Sequence, residues 1–276
     1  TARWFAAPAA DAAGGGLAAA TKSVMFTFNG WVYISLVAGE LQQPERRLVR
    51  IIFAGTGSVV VLYLLANLAY LYVIPLAAMP GTVVARQVME LVAGPVGGTL
   101  MGGCIVASVF GAMNGVIFTK SRVAYALGRD GLSFALVGRA HPIRATPYVS
   151  ILIQGVVAVA LILALRDPVN PLRLFDRLTA YFVMVEWLAL LFAIGAVFVL
   201  RRTMAEAPRP YRTPGYPVVP LVFIGGTVLG LGAILWSALS QGDFSPLFGI
   251  GLVLAGFPVF FLWRARGGGA AKKPGG

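Results

Sequence analysis

Three observations in the sequence predict an all-α integral membrane protein of about seven transmembrane helices. Hydrophobic residues make up 58% of the chain and charged residues only 12%, about half the ~25% typical of a soluble domain. Uncharged runs cover 51–85, 91–119, 145–165, 213–242 and 244–263, and each reaches the ~20 residues that a helix needs to cross a bilayer. The runs are continuous rather than alternating, which excludes a membrane barrel, and they exceed the ~10–14 apolar residues of a core helix in a soluble protein. The mean hydropathy is +0.83. The net charge of +12 could suggest nucleic acid, but a nucleic-acid binder gathers its basic residues on one soluble face. Here they fall between the apolar runs, and no nucleic-acid partner is expected.

The expected helix cores are 20–40, 51–74, 99–119, 148–165, 179–200, 218–239 and 247–263. The first is the least regular, because Asn29-Gly30 stands near its middle and this pair favours turns. An unwound turn at that depth would expose backbone amides and carbonyls that lipid cannot satisfy, so it would have to line a cavity or a ligand. Glycine is common in membrane helices, and from these residues alone an uninterrupted helix stays open. The second and fourth cores are uniformly apolar. In the third, Gly103, Ala107, Gly111 and Gly115 recur on one face, a spacing that lets another helix approach closely. Ser108 and Asn114 beside that face are weaker candidates for a direct ligand role. The fifth core carries Glu186, the one acidic residue well inside an apolar span. A charge there is costly and should face protein or water, either as a coupling or gating group or as a structural hydrogen bond to a neighbouring helix. The last two cores are apolar throughout.

Orientation follows from the basic residues, which are retained on the cytoplasmic side. Arg46, Arg47 and Arg50 follow the first core, and Lys120, Arg122, Arg129, Arg139 and Arg144 follow the third. Arg201, Arg202, Arg209 and Arg212 follow the fifth, and the tail holds Arg264, Arg266, Lys272 and Lys273. The opposite connections are poorer in Lys and Arg, so the C-terminus is expected in the cytoplasm. The chain then starts outside with an odd number of spans and without a leader pattern, which is expected of a piece cut from a larger transporter.

Reactive chemistry is sparse. Cys104 is the only cysteine, His141 the only histidine, and no cluster of the two suggests a metal site. His141 precedes Pro142 in a loop, where forming a turn is the expected role. No phosphate-binding loop or nucleophile elbow is present, so neither an enzyme nor a cofactor is indicated.

The residues also carry a resemblance. Phe26-Thr27-Phe28-Asn29-Gly30-Trp31, then Ala38-Gly39-Glu40 and Gln43-Pro44-Glu45-Arg46, resembles the broken sixth helix and following loop of bacterial amino acid permeases in the amino acid-polyamine-organocation superfamily. Asn114-Gly115 through Ser121-Arg122, Gly128-Arg129-Asp130-Gly131, Thr146-Pro147, Glu186-Trp187 and Arg201-Arg202 keep the family order. So do Tyr211-Arg212 through Pro214-Gly215-Tyr216-Pro217, and Pro258, over about 22–264. Val49 departs from the proline that opens the next helix in many relatives.

The resemblance implies helices six to twelve of a twelve-helix permease, the second half of a leucine-transporter-like inverted repeat. Its parts would be an extracellular segment 1–19, the second repeat at 20–200, a cytoplasmic loop 201–217, two peripheral helices in 218–263 and a cytoplasmic tail 264–276. It further implies a substrate site at the break: Phe26 as an aromatic gate, the backbone at Thr27, Phe28 and Asn29 meeting the amino group or side chain, and Gly30 permitting the break. The expected function is secondary transport of an amino acid, polyamine or related amine across the cytoplasmic membrane by alternating access. The implied partners are that substrate, the bilayer and the missing N-terminal half, without which this half should not transport. The alternative is a non-transporting membrane subunit or scaffold built from the same helices.

Overall fold

The computed structural model describes residues 13–79, 83–166, 171–209 and 211–265. Most of the expected segment 1–19 and of the tail 264–276 lies outside them. The described residues form helices and turns without a strand. Among the described residues, six helices are long and apolar enough to cross a membrane. The first expected span, 20–40, is interrupted: α1 (Ala13–Thr27) ends at Thr27, a 3₁₀ turn covers Asn29–Val32, and α2 (Tyr33–Leu36) is a single turn. The described residues divide into two compact units, one containing 31–120 and the other 14–30 with 121–265.

In the first unit, α3 (Pro44–Val73) starts earlier than its expected core. Pro44 occupies the first turn of α3, where a proline loses no helical hydrogen bond, and Val49 needs no proline in its place. The helix is exposed along most of its length, with Leu62, Leu64 and Leu68 all more than 60% exposed. Two of its polar side chains are satisfied within the helix. Ser58 Oγ donates to Ala54 O at 2.8 Å, and Asn67 Nδ2 donates to Tyr63 O at 2.7 Å. Such local bonds are what an apolar surrounding demands of a hydroxyl or carboxamide.

The next helical stretch, α4 (Val84–Arg129), is bent at Gly94-Pro95. Gly94 has φ 70° and ψ −170°, a backbone conformation that a residue with a Cβ resists, and Pro95 cannot donate the helical hydrogen bond. The third expected core therefore belongs to the long arm after the bend.

The second unit contains the remaining helices. The end of α4 is closed at Gly131, φ 71°, where Leu132 N–H donates to Leu127 O at 2.9 Å and Gly131 N–H to Gly128 O at 3.4 Å. These are the two bonds of a Schellman cap, which explains the Gly-Arg-Asp-Gly run. The expected boundaries of α5 (Tyr148–Leu165) agree with the structure. Helices α6 (Pro171–Thr203), α7 (Val218–Ser240) and α8 (Ser245–Ala265) cover the last three expected cores and extend beyond them.

α6 packs on both α7 and α8. The buried centre is Met25, Val183, Met184, Leu231 and Ile234, so α1 contributes to the same core. Small residues set the spacing: a Cβ added at Gly249 of α8 would lie 3.2 Å from Met184 Cβ. One added at Gly230 of α7 would lie 3.2 Å from Met25 Sδ. Asp243 Oδ1 accepts from Ser245 N–H at 2.9 Å and caps the start of α8. Near its other end, Trp263 Nε1 donates to Gly131 O at 3.0 Å and its ring meets Phe134 edge to face.

Candidate functional site

The site begins with the end of α1. The last amide bonded in helical fashion there is Phe28 N–H, which donates to Val24 O at 2.9 Å. The chain then tightens into the 3₁₀ turn that starts at Asn29. A helix that stops inside an apolar span presents its last carbonyls, which carry the negative end of the helix dipole.

Five consecutive residues expected at the site occupy distinct environments. Phe26 is 38% exposed. Its ring stands edge-on to Phe182 at 5.5 Å and to Phe175 at 6.0 Å, both on α6. Thr27 is exposed as the final residue of α1, and Phe28 is half-buried in the turn. Asn29 is 1% exposed, and neither its amide nitrogen nor its carbonyl oxygen has a hydrogen-bond partner. A buried carboxamide without partners costs about 1–3 kcal/mol, so its retention calls for a reason.

Gly30 is exposed, it is absent from the glycines with positive φ, and a Cβ there would meet nothing within 4 Å. The tight turn at Asn29–Val32, rather than a left-handed glycine, interrupts the helix.

Glu186 is half-buried on α6, one residue before Trp187. Trp187 Nε1 donates to Met25 O at 3.2 Å, on the last turns of α1. Gly103, Ala107, Gly111 and Gly115 are exposed along α4, and a Cβ at any of the three glycines would meet nothing within 4 Å. His141 does form a turn, its Nδ1 accepting from the Ile143 and Arg144 amides at 3.3 Å.

Several participants are not evident from motif reading. Phe175 and Phe182 stand two helical turns apart on α6, a spacing that puts both on one face. That periodicity was the available signal. Lys22 of α1 pairs with Asp176 of α6, across a distance in sequence that no local pattern reveals. The pair lines a cavity of about 290 Å³ together with Ala18, Ile234, Ser237 and Gln241. Among the described residues, no group of three or more His, Cys, Asp or Glu side chains could hold a metal ion.

Six membrane-length apolar helices and one helix interrupted inside an apolar span define a multi-pass helical membrane protein. Residues 4–265 match the model of the family described as "Amino acid permease", and the chain belongs to that family. It is 30% identical over 252 residues to the serine/threonine exchanger SteT of Bacillus subtilis, covering 90% of this chain and 55% of that protein. It is 26% identical to the b(0,+)-type amino acid transporter 1 of Mus musculus, over 90% of this chain and 48% of the relative. The Asc-type amino acid transporter 1 of Mus musculus is 28% identical, over 91% of this chain and 46% of its own length. The chain thus spans about half the length of the curated relatives it matches. These relatives carry the names of transporters and exchangers rather than of enzymes.

Proposed function

We propose that this chain forms the C-terminal half of a secondary transporter that carries an amino acid or related amine across the cytoplasmic membrane by alternating access, with its substrate seated at the end of α1. The observation that carries this reading is Asn29: a fully buried carboxamide without partners, placed where a membrane helix stops. A substrate that accepts from and donates to that carboxamide supplies what the protein does not. The carbonyls of Phe26 and Thr27 at the negative end of α1 favour an ammonium group. Phe26, packed edge-on against two α6 rings, is suited to cover that group as the site closes. Glu186 is our candidate for coupling or gating. Its place inside an apolar span supports this, because ionisable groups are costly at that depth. The names of the relatives support amino acids as the substrate class.

The basic residues after the first, third and fifth expected cores and in the tail support a cytoplasmic C-terminus. The open small-residue face of α4 is where we place helices of the N-terminal half, since small residues permit close approach. We retain 20–200 as the second repeat and 218–263 as two peripheral helices, with lipid around them.

The test is uptake of radiolabelled amino acids into liposomes by the full-length gene product. Asn29→Leu should lower kcat/KM about tenfold or more, as expected when a buried hydrogen-bonding site loses its polar group. The same change should leave thermal stability equal or higher, because it removes an unsatisfied buried group. Unchanged uptake in Asn29→Leu removes the substrate site from the break.

A further inference from the structure

In a continuous helix the carbonyl of Met25 would accept from the amide of Asn29, four residues on. Asn29 instead opens the 3₁₀ turn, and the Met25 carbonyl receives the indole N–H of Trp187 at 3.2 Å. Met25 is 7% exposed, so a carbonyl left without a donor at this point would be expensive.

Trp187 is itself held. Its ring stacks on Phe223 of α7, with centroids 5.9 Å apart and planes 16° from parallel, and it packs against the buried cluster that includes Met25. Its indole N–H is a donor without an acceptor, so it can cap a carbonyl but cannot accept a hydrogen bond from an ammonium group. The Met25 side chain is fixed from a second direction, its Sδ being 3.2 Å from the position of a Cβ at Gly230 of α7. Residue 25 is thus fastened through its carbonyl by α6 and through its side chain by α7, one residue before the aromatic ring proposed to cover the substrate.

We infer that Trp187 is a positioning residue, whose indole N–H caps the broken end of α1 and keeps the carbonyls of Phe26 and Thr27 in register for the substrate's ammonium group. The inference rests on the break being the substrate site. It adds a residue on another helix, acting through one hydrogen bond, to the residues of the break itself.

The decisive variant replaces Trp187 by benzothienylalanine, which keeps the ring shape and stack but puts sulfur in place of the N–H. Trp187→Phe serves as the genetically encoded counterpart. In liposomes containing the full-length gene product, KM for the transported amino acid should rise about fivefold in both, the loss expected of one hydrogen bond, with kcat changed less than twofold. Thermal stability of the benzothienylalanine variant should fall modestly, because the Met25 carbonyl loses its donor while the ring stack is kept. An unchanged KM, or a fall in kcat and stability without a KM effect, overturns the positioning role.

A second readout does not require transport. In a Cys104→Ala background, since Cys104 is a free exposed thiol, maleimide labelling of Thr27→Cys should change severalfold in rate when the Trp187 N–H is lost. Identical labelling rates overturn the cap. A changed labelling rate in a protein that transports no amino acid would leave the cap standing and bring down the substrate reading instead.

Discussion

The unit containing 31–120 and the unit containing 14–30 with 121–265 are made from helices of similar apolar character, but their interiors differ. In the second, Met25, Val183, Met184, Leu231 and Ile234 form one contiguous buried cluster. In the first, buried apolar residues such as Ile74 and Val88 lie outside that cluster, and α3 and α4 expose most of their large side chains. Hydrophobicity therefore does not decide which helices pack, because lipid is as apolar as leucine. Close approach does. Gly249 and Gly230 have heavy atoms of α6 and α1 at 3.2 Å from where a Cβ would stand, while Gly103, Gly111 and Gly115 have nothing within 4 Å. The same residue type marks a formed contact in one unit and an open face in the other.

This contrast can be broken by substitution. The largest effect is expected from Gly249→Leu, which drives a branched side chain into Met184 and should cost about 1–3 kcal/mol by overpacking. Fluorescence-detected chromatography after heating in detergent would report it. Gly251→Leu on the same helix, where a Cβ meets nothing within 4 Å, is the control and should be near neutral.

Next comes Gly111→Leu on the open face of α4. It should leave the thermal stability of this chain within about 0.5 kcal/mol, as surface substitutions usually do, while abolishing uptake by the full-length gene product if other helices pack there. A loss of stability in this chain alone would show that the face is already occupied.

Glu186→Gln addresses function within the packed unit. Uptake measured across pH should lose its pH dependence if this carboxyl couples proton movement, and unchanged rate and pH profile in the variant would remove it from that role. The smallest effect is expected from Lys22→Met. Its partner Asp176 is 68% exposed, so solvent screening should hold the loss to less than about 0.5 kcal/mol in a melting experiment. A larger loss would mark the cavity beside that pair as structural.

Much of the fold was legible because the bilayer imposes a length rule on apolar runs. The expected core 148–165 has the same bounds as α5, and 218–239 falls one residue short of the end of α7. The bend at Gly94-Pro95 was not among the expectations, although glycine and proline act through local sterics and carry such a signal in sequence. Of the site, Asn29-Gly30 announced a turn, but Gly30 turned out not to supply the unusual dihedral. That Asn29 would be buried and lack partners could not be read from its neighbours in sequence, because burial is a property of what lies across from a residue.

The sequence by itself determined that the chain is a multi-pass helical membrane protein, because helix length and charge exclusion are local and act on consecutive residues. Asn29-Gly30 marked where the first span could break but left an uninterrupted helix open until the structure showed the 3₁₀ turn. Only the tertiary structure decided that Trp187 meets the carbonyl of Met25, that Phe175 and Phe182 flank Phe26, and that Lys22 finds Asp176. Each of these joins α1 to α6 over about 150 residues or more of sequence, most of them in the other unit. In an apolar solvent such pairings are selected by shape and by the need to satisfy polar groups, neither of which is encoded in hydropathy.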